Sequence, residues 1–252
     1  MNQNTGNNHD QDLDNDDEMV GSLISRRTAL RLFGAAAGGG ALLGVTKLSG
    51  VSAQSSTSSS SGLPSCIVRP AQTEGPYFVD EKLNRSDVRS DPVSKTVRPG
   101  AALRLTFLVS NVSAKGCTPL EGAMIDIWQC DAAGVYSDVQ GDSHKFLRGY
   151  QKSDAKGVAQ FLTIYTGWYP GRTVHIHFKI RHGTKEFTSQ LFFDDTFTDK
   201  VYKAAPYNTR GSRNTRNNND GIYRNGGSQL LLDTKADGTG YAATFDIGVN
   251  LG

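Results

Sequence analysis

Thr173-Val174-His175-Ile176-His177-Phe178-Lys179-Ile180-Arg181 is the stretch from which fold and chemistry can be read together in this chain of 252 residues. Val174, Ile176, Phe178 and Ile180 fall on alternate positions, the period of a β-strand, which sends them to one face and toward a core. The same alternation sends His175 and His177 together to the other face. At a strand rise of ~3.3 Å per residue their Cα atoms lie about 6.5 Å apart, so both imidazoles can reach one metal ion as neighbouring ligands. A His-x-His pair also suits a strand with two half-exposed histidines and no metal, and the local pattern leaves both readings open.

Outward from this strand the same alternation recurs. Leu103–Val109 (LRLTFLV), Ala123–Gln129 (AMIDIWQ), Ala159–Tyr165 (AQFLTIY), Phe187–Phe193 (FTSQLFF) and Tyr241–Val249 (YAATFDIGV) are each bounded by Gly, Pro, Asn or Asp. No helical periodicity separates them, and 28 glycines, 11 phenylalanines and 9 tyrosines fit strands joined by turns. The spacing predicts a mostly-β chain: a single β-sandwich domain with long functional loops, one of them the Asn/Arg-rich stretch 208–225. A hydrophobic content of 37% is enough for a packed core. With 27 Lys+Arg against 25 Asp+Glu the formal charge is +2, too balanced for the cationic field on which nucleic-acid binding relies, and no nucleic acid is expected as a partner.

Residues 1–24 carry six acids and no Lys or Arg, the composition of a solvated tail. Arg26-Arg27 then leads into the weakly apolar run LFGAAAGGGALLGV and on to Val51-Ser52-Ala53, an order that reads as a twin-arginine-type export signal. The run is too short and too rich in glycine to make a stable membrane span, for which roughly 20 apolar residues are wanted. The reading is therefore a tail and signal peptide over 1–53, a Ser-rich linker over 54–62 and a folded domain over 63–252. The twin-arginine export machinery is the expected partner, and the expected location is secreted or periplasmic. In an oxidising compartment Cys66, Cys117 and Cys130 leave one thiol unpaired. Because the segment between Cys117 and Cys130 reads as extended, a Cys66–Cys130 bridge is expected.

No cysteine lies near His175 and His177 in sequence, and the nearest carboxylates, Asp194 and Asp195, follow the next strand. Tyr165 and Tyr169 are closer. Phenolate is a hard, strongly donating ligand, suited to a trivalent cation such as Fe(III), which lowers the phenol pKa from ~10 by direct charge neutralisation.

The assembled residues resemble the intradiol ring-cleavage dioxygenases, the non-haem Fe(III) family that includes protocatechuate 3,4-dioxygenases and catechol 1,2-dioxygenases. The resemblance runs from about Cys66 to about Tyr223 through four motifs in the family's order: QTEGPYF (Gln72–Phe78), PLEGAMIDIWQCDAAGVYS (Pro119–Ser137), GWYPGRTVHIHFKI (Gly167–Ile180) and FTSQLFF. It implies Fe(III) held by Tyr136, Tyr169, His175 and His177, with Tyr165 as the alternative to Tyr169 because the stretch from Tyr169 to the first histidine is shorter here than in the protocatechuate and catechol enzymes. Only about 40 residues separate the signal from the first strand. That leaves no room for the helical dimerisation region of the catechol and hydroxyquinol branch, and the chain looks like the secreted, single-domain branch.

What the resemblance implies functionally is insertion of O2 between the two hydroxylated carbons of a catechol-like aromatic diol, giving a cis,cis-muconate-type product. The iron stays ferric and activates the diol, and Tyr169 is the tyrosinate the diol displaces. Arg172 matches the position whose guanidinium lies near the substrate ring, Gln190 a position that hydrogen-bonds to iron-bound oxygen or to a ligand, and Tyr77 a pocket wall. Trp128 and Trp168 are assigned to core or pocket wall, and self-association into a homo-oligomer is expected as in relatives. Two other readings keep the fold: a secreted binding module without iron, and a Zn(II) hydrolase using His-x-His with a carboxylate such as Asp194.

Overall fold

Leu103, Leu105, Phe107 and Val109 are all fully buried, as their alternation requires, on strand β1 (Ala102–Ser113). The computed structural model describes residues 66–139 and 141–251, so the acidic tail, the export signal and the Ser-rich linker lie outside the described residues. β1 pairs antiparallel with β2 (Gly116–Pro119) and β5 (Val158–Ile164), and parallel with β9 (Gly240–Val249), which in turn carries β8 (Lys235–Asp237). A second, wholly antiparallel sheet has the order β4-β3-β6-β7, built from β3 (Met124–Trp128), β4 (Arg148–Lys152), β6 (His175–His182) and β7 (Lys185–Phe192).

The sheets meet through aromatic rings. Phe178 on β6 lies 5.4 Å from Phe107 on β1 and 5.5 Å from Phe245 on β9, centroid to centroid. Ile125, Ile176 and Ile180 extend that layer with no exposure. This is the β-sandwich expected from the alternating runs. β2, β4 and β8 were not expected, because short segments such as Arg148-Gly149-Tyr150-Gln151-Lys152 carry no alternation and are extended only by pairing with a neighbour. Two short helices, α1 (Asp195–Val201) and α2 (Gly221–Arg224), are each capped by an aspartate: Asp194 accepts from Phe197 N, and Asp220 from Tyr223 N. The Asn/Arg-rich stretch 208–225 is a connection as expected, with α2 at its end.

Two expectations are corrected. The histidine face of β6 is not half-exposed: His175 and His177 are 2% and 1% exposed. A strap formed by residues 66–80 covers it. Gln72 N donates to Thr188 O at 3.1 Å, Ser189 Oγ to Pro70 O at 2.8 Å, and Lys179 and Arg181 form ion pairs with Glu74 and Asp80. The disulfide joins Cys66 to Cys117, and Cys130 is free and buried. Topology is the reason: Gly248 N on β9 donates to Ile67 O at 2.7 Å, and β9 and β2 flank β1 on either side, which brings Cys66 within 5.7 Å of Cys117, Cα to Cα. Cys130 follows β3 in the other sheet, where its Sγ lies 3.4 Å from Thr166 Oγ1.

Candidate metal centre

Strand register places His175 and His177 on the outer face of β6, with Trp128 of β3 and Gln190 of β7 as the cross-strand neighbours of His177. Trp128 stacks on His177 with centroids 5.0 Å apart and planes 10° from parallel, which fixes that imidazole's plane. His175 Nδ1 lies 2.6 Å from Thr173 O, so it carries the proton and leaves Nε2 as a bare lone pair. His175 Nε2 is 3.0 Å from His177 Nε2 and 3.3 Å from the Tyr169 hydroxyl. Metal–nitrogen bonds of ~2.1 Å at a right angle separate two nitrogens by ~3.0 Å. The two imidazoles are thus spaced as neighbouring ligands of one ion.

Burial pushes both histidines well below the usual imidazole range, and the Arg172 charge pushes them further; His177 also feels His175 and Arg148. They are therefore neutral and available to ligate. Burial likewise holds the Tyr136 phenol well above its ordinary range, with Tyr169 and Cys130 adding to the effect and Arg172 opposing it. The Tyr136 hydroxyl is fully buried without a hydrogen-bond partner of good geometry, and so is His177 Nδ1. A buried polar atom left unpaired is costly. A cation against the Tyr136 oxygen would supply the missing partner and stabilise the phenolate, so this donor set fits a hard, highly charged ion.

The two tyrosines sit on loops that touch through backbone. Tyr136 follows the turn 131–134 after β3, where Asp131 Oδ1 accepts from Ala133 N and Val135 N at 2.9 and 3.0 Å. Tyr169 lies between β5 and β6. Gly167 is where the loops meet, since a Cβ there would run into the Asp131 carbonyl. Gly134 has φ +81°, the left-handed region that glycine tolerates, and a Cβ on it would strike the Trp168 carbonyl. Arg210 closes this junction by donating to Trp168 O, with its guanidinium 4.5 Å from the Trp168 ring centroid.

Tyr77, on the strap, stacks on Tyr136 at 4.5 Å and meets Tyr169 edge-on at 6.2 Å. Tyr136 and Tyr169 are 5.7 Å apart, ring to ring. The alternative ligand Tyr165 is instead a core residue whose hydroxyl lies 2.8 Å from Thr198 Oγ1. Arg172 Nη2 donates to Gln190 Oε1 at 2.6 Å, and Gln190 Nε2 to Thr73 O at 3.0 Å, which fixes the orientation of the amide. Asp194, the carboxylate a zinc hydrolase would use, is occupied in capping α1. Among the described residues no group of three or more His, Cys, Asp or Glu is arranged to hold a metal.

Sequence reasoning missed three supports. Arg148, 3% exposed, donates through Nε to Ser137 Oγ and through Nη1 to Tyr77 O, tying the strap to the Tyr136 loop. Asp220, 1% exposed, accepts from Arg172 Nε and Thr173 N. Asn217 accepts from Thr173 Oγ1 at 2.6 Å. All three are remote in sequence from what they hold, and nothing local marks them.

The chain matches the dioxygenase family model over residues 73–220, more than half its length. It is 27% identical over 191 residues to the protocatechuate 3,4-dioxygenase beta chain of Burkholderia cepacia, covering 68% of this chain and 75% of that protein. Its structure is similar to an intradiol ring-cleavage dioxygenase from Tetranychus urticae, with TM-score 0.66, 30% identity and coverage of 74% and 96% of the two chains. It is also similar to the dioxygenase domain of a dioxygenase carbohydrate-binding protein fusion from Streptomyces sp. SirexAA-E, with TM-score 0.56, 30% identity and coverage of 74% and 100%. With the family match enclosing both tyrosines, both histidines, Arg172 and Gln190, the chain belongs to the intradiol ring-cleavage dioxygenases.

Proposed function

We propose that this protein is an Fe(III)-dependent intradiol dioxygenase that cleaves a catechol-like aromatic diol between its two hydroxylated carbons, yielding a cis,cis-muconate-type diacid. The observation that carries the reading is the convergence of Tyr169 Oη and the Nε2 atoms of His175 and His177, 3.0–3.3 Å between neighbours, beside the unpaired Tyr136 hydroxyl. When bound there, ferric iron supplies Lewis acidity that favours the diol dianion and draws electron density from the ring.

The chain's own residues do the rest. His175 and His177 remain neutral donors, one held by Thr173 O and the other by the Trp128 face. Tyr136 is buried and held between Tyr77 and its loop, so it is the tyrosine that stays. Tyr169 is only half-buried, on the connection between β5 and β6 beside the exposed Pro170-Gly171, so its phenolate oxygen is the one placed to take up a proton from the incoming diol. The Tyr77 ring lies edge-on to Tyr169 and forms a wall for a flat aromatic substrate. The Arg172 guanidinium, permanently charged, stabilises negative charge developing on the ring carbon where O2 adds.

Oxygen uptake by the iron-loaded protein with catechol and with hydroxyquinol tests the reading. One O2 should be consumed per diol, with a dicarboxylate product that contains both oxygen atoms. A ring-cleavage product carrying an aldehyde, or no uptake with any vicinal diol, contradicts it.

A further inference from the structure

We propose that Asp220 is the residue that positions Arg172 for work on the substrate ring; this rests on the dioxygenase reading above and assigns a function to the Asn/Arg-rich connection. Arg172 is 7% exposed, and a buried guanidinium without a counter-charge is strongly unfavourable. Asp220 provides that charge. Its Oδ2 accepts from Arg172 Nε at 2.9 Å and from Thr173 N at 2.7 Å, while its Oδ1 accepts from Tyr223 N at 2.8 Å and starts α2. The opposite edge of the guanidinium donates from Nη2 to Gln190 Oε1. A planar fork held at two edges by two fixed acceptors has its plane determined.

Each acceptor is itself fixed. Gln190 cannot flip, because its Nε2 is committed to Thr73 O. Asp220 cannot swing, because both its oxygens receive backbone N–H groups. The Thr73–Gln190–Arg172–Asp220 chain thereby runs from the strap to the far connection and sets the cation against both histidines and Tyr136, all of which feel its charge. Capping the four-residue α2 does not require a carboxylate, since Asn caps as well as Asp. Receiving two donors on one oxygen and a third on the other does, because an asparagine amide turns an N–H toward one of them.

A double-mutant cycle tests the assignment. Asp220→Asn, Arg172→Ala and the double variant are compared by kcat from oxygen uptake, by the diol dissociation constant measured without oxygen from the visible spectrum, and by thermal unfolding. Asp220→Asn should lower kcat about tenfold with the dissociation constant within threefold of parental, and should cost nothing further in kcat in the Arg172→Ala background. The double variant should be less destabilised than the two single variants add up to, because removing both members of a buried pair leaves no orphaned charge. An equal fold-loss of kcat in both backgrounds, or parental kcat in Asp220→Asn, overturns the assignment while leaving the dioxygenase reading intact. Parental kcat in Arg172→Ala removes the guanidinium from the mechanism and overturns the assignment with it; absence of oxygen uptake with any diol in the parent overturns the dioxygenase reading itself. If Asp220→Asn does not fold, Asp220→Glu, which keeps the charge and displaces it by one methylene, enters the same cycle with the same expectations for kcat and the dissociation constant. Failure of both to fold even without Arg172 shows that the carboxylate serves the fold and overturns the assignment.

Discussion

On the proposed function, Arg172 acts on the substrate ring and the tyrosines on the metal, and the two kinds of residue should fail differently when removed. Arg172 donates to Gln190 and Asp220 and is not among the converging donor atoms. Arg172→Ala should therefore keep the metal, the visible absorption and the spectral change on adding a catecholate, while turnover falls roughly a hundredfold, the equivalent of ~3 kcal/mol of lost transition-state stabilisation. Arg172→Lys should recover only part of the rate, since an ammonium keeps the charge and loses the planar fork. Steady-state oxygen uptake on every diol the parent accepts decides the matter: parental rates in Arg172→Ala would remove the guanidinium from the mechanism. The residue scale is also where the sequence was most legible. His175 and His177 were apparent from a two-residue period, and the tyrosines from motif. Asp220, Arg148 and Asn217 were not, because an ion pair 48 residues apart and hydrogen bonds 11 to 71 residues apart in the chain leave no periodic trace.

At the scale of elements, the loop after Tyr136 is pinned by a carboxylate from another loop. Asp91, 3% exposed, accepts from Val93 N and Ser94 N through Oδ1 and from Lys145 N through Oδ2. Burial alone would raise this carboxyl, but the backbone donors of Lys145, Ser94 and Val93 outweigh it and bring it down to about 2. Its value in the unfolded chain is about 3.9. A carboxyl lowered on folding contributes stability that is complete above the unfolded value and is lost as pH falls through ~4 toward 2. Asp91→Asn should therefore be less stable than the parent by about 2 kcal/mol at pH 6, and the gap should shrink at pH 2.5, both read by urea unfolding. A gap that does not change with pH would show that the bonds owe nothing to the charge. Elements were legible wherever alternation was strong, as in β1, β6 and β9. The strap was not: its quoted motif EGPYF has no period, and its path over β6 is set by Lys179–Glu74, Arg181–Asp80 and the Cys66–Cys117 bridge, all long-range contacts.

At the scale of the whole molecule, the sandwich brings the loop after β3, the connection between β5 and β6 and the start of β6 to one centre, and the strap closes that centre from outside. We propose that the protein is exported through the twin-arginine route, a reading supported by Arg26-Arg27 before a Gly/Ala run and by a disulfide of the kind that oxidising compartments maintain. Replacing Arg26 and Arg27 with Lys should leave the precursor in the cell; unchanged export on fractionation would assign the segment no such role. The central claim is that two phenolates and two imidazoles of this chain hold one ferric ion, and the visible absorption of the purified, iron-loaded protein tests it most directly. Phenolate-to-Fe(III) charge transfer should make the parent red-brown, and Tyr136→Phe should shift and weaken that band because a donor is lost. A colourless protein that binds zinc in preference to iron, or a band unaltered in both Tyr136→Phe and Tyr169→Phe, would contradict it.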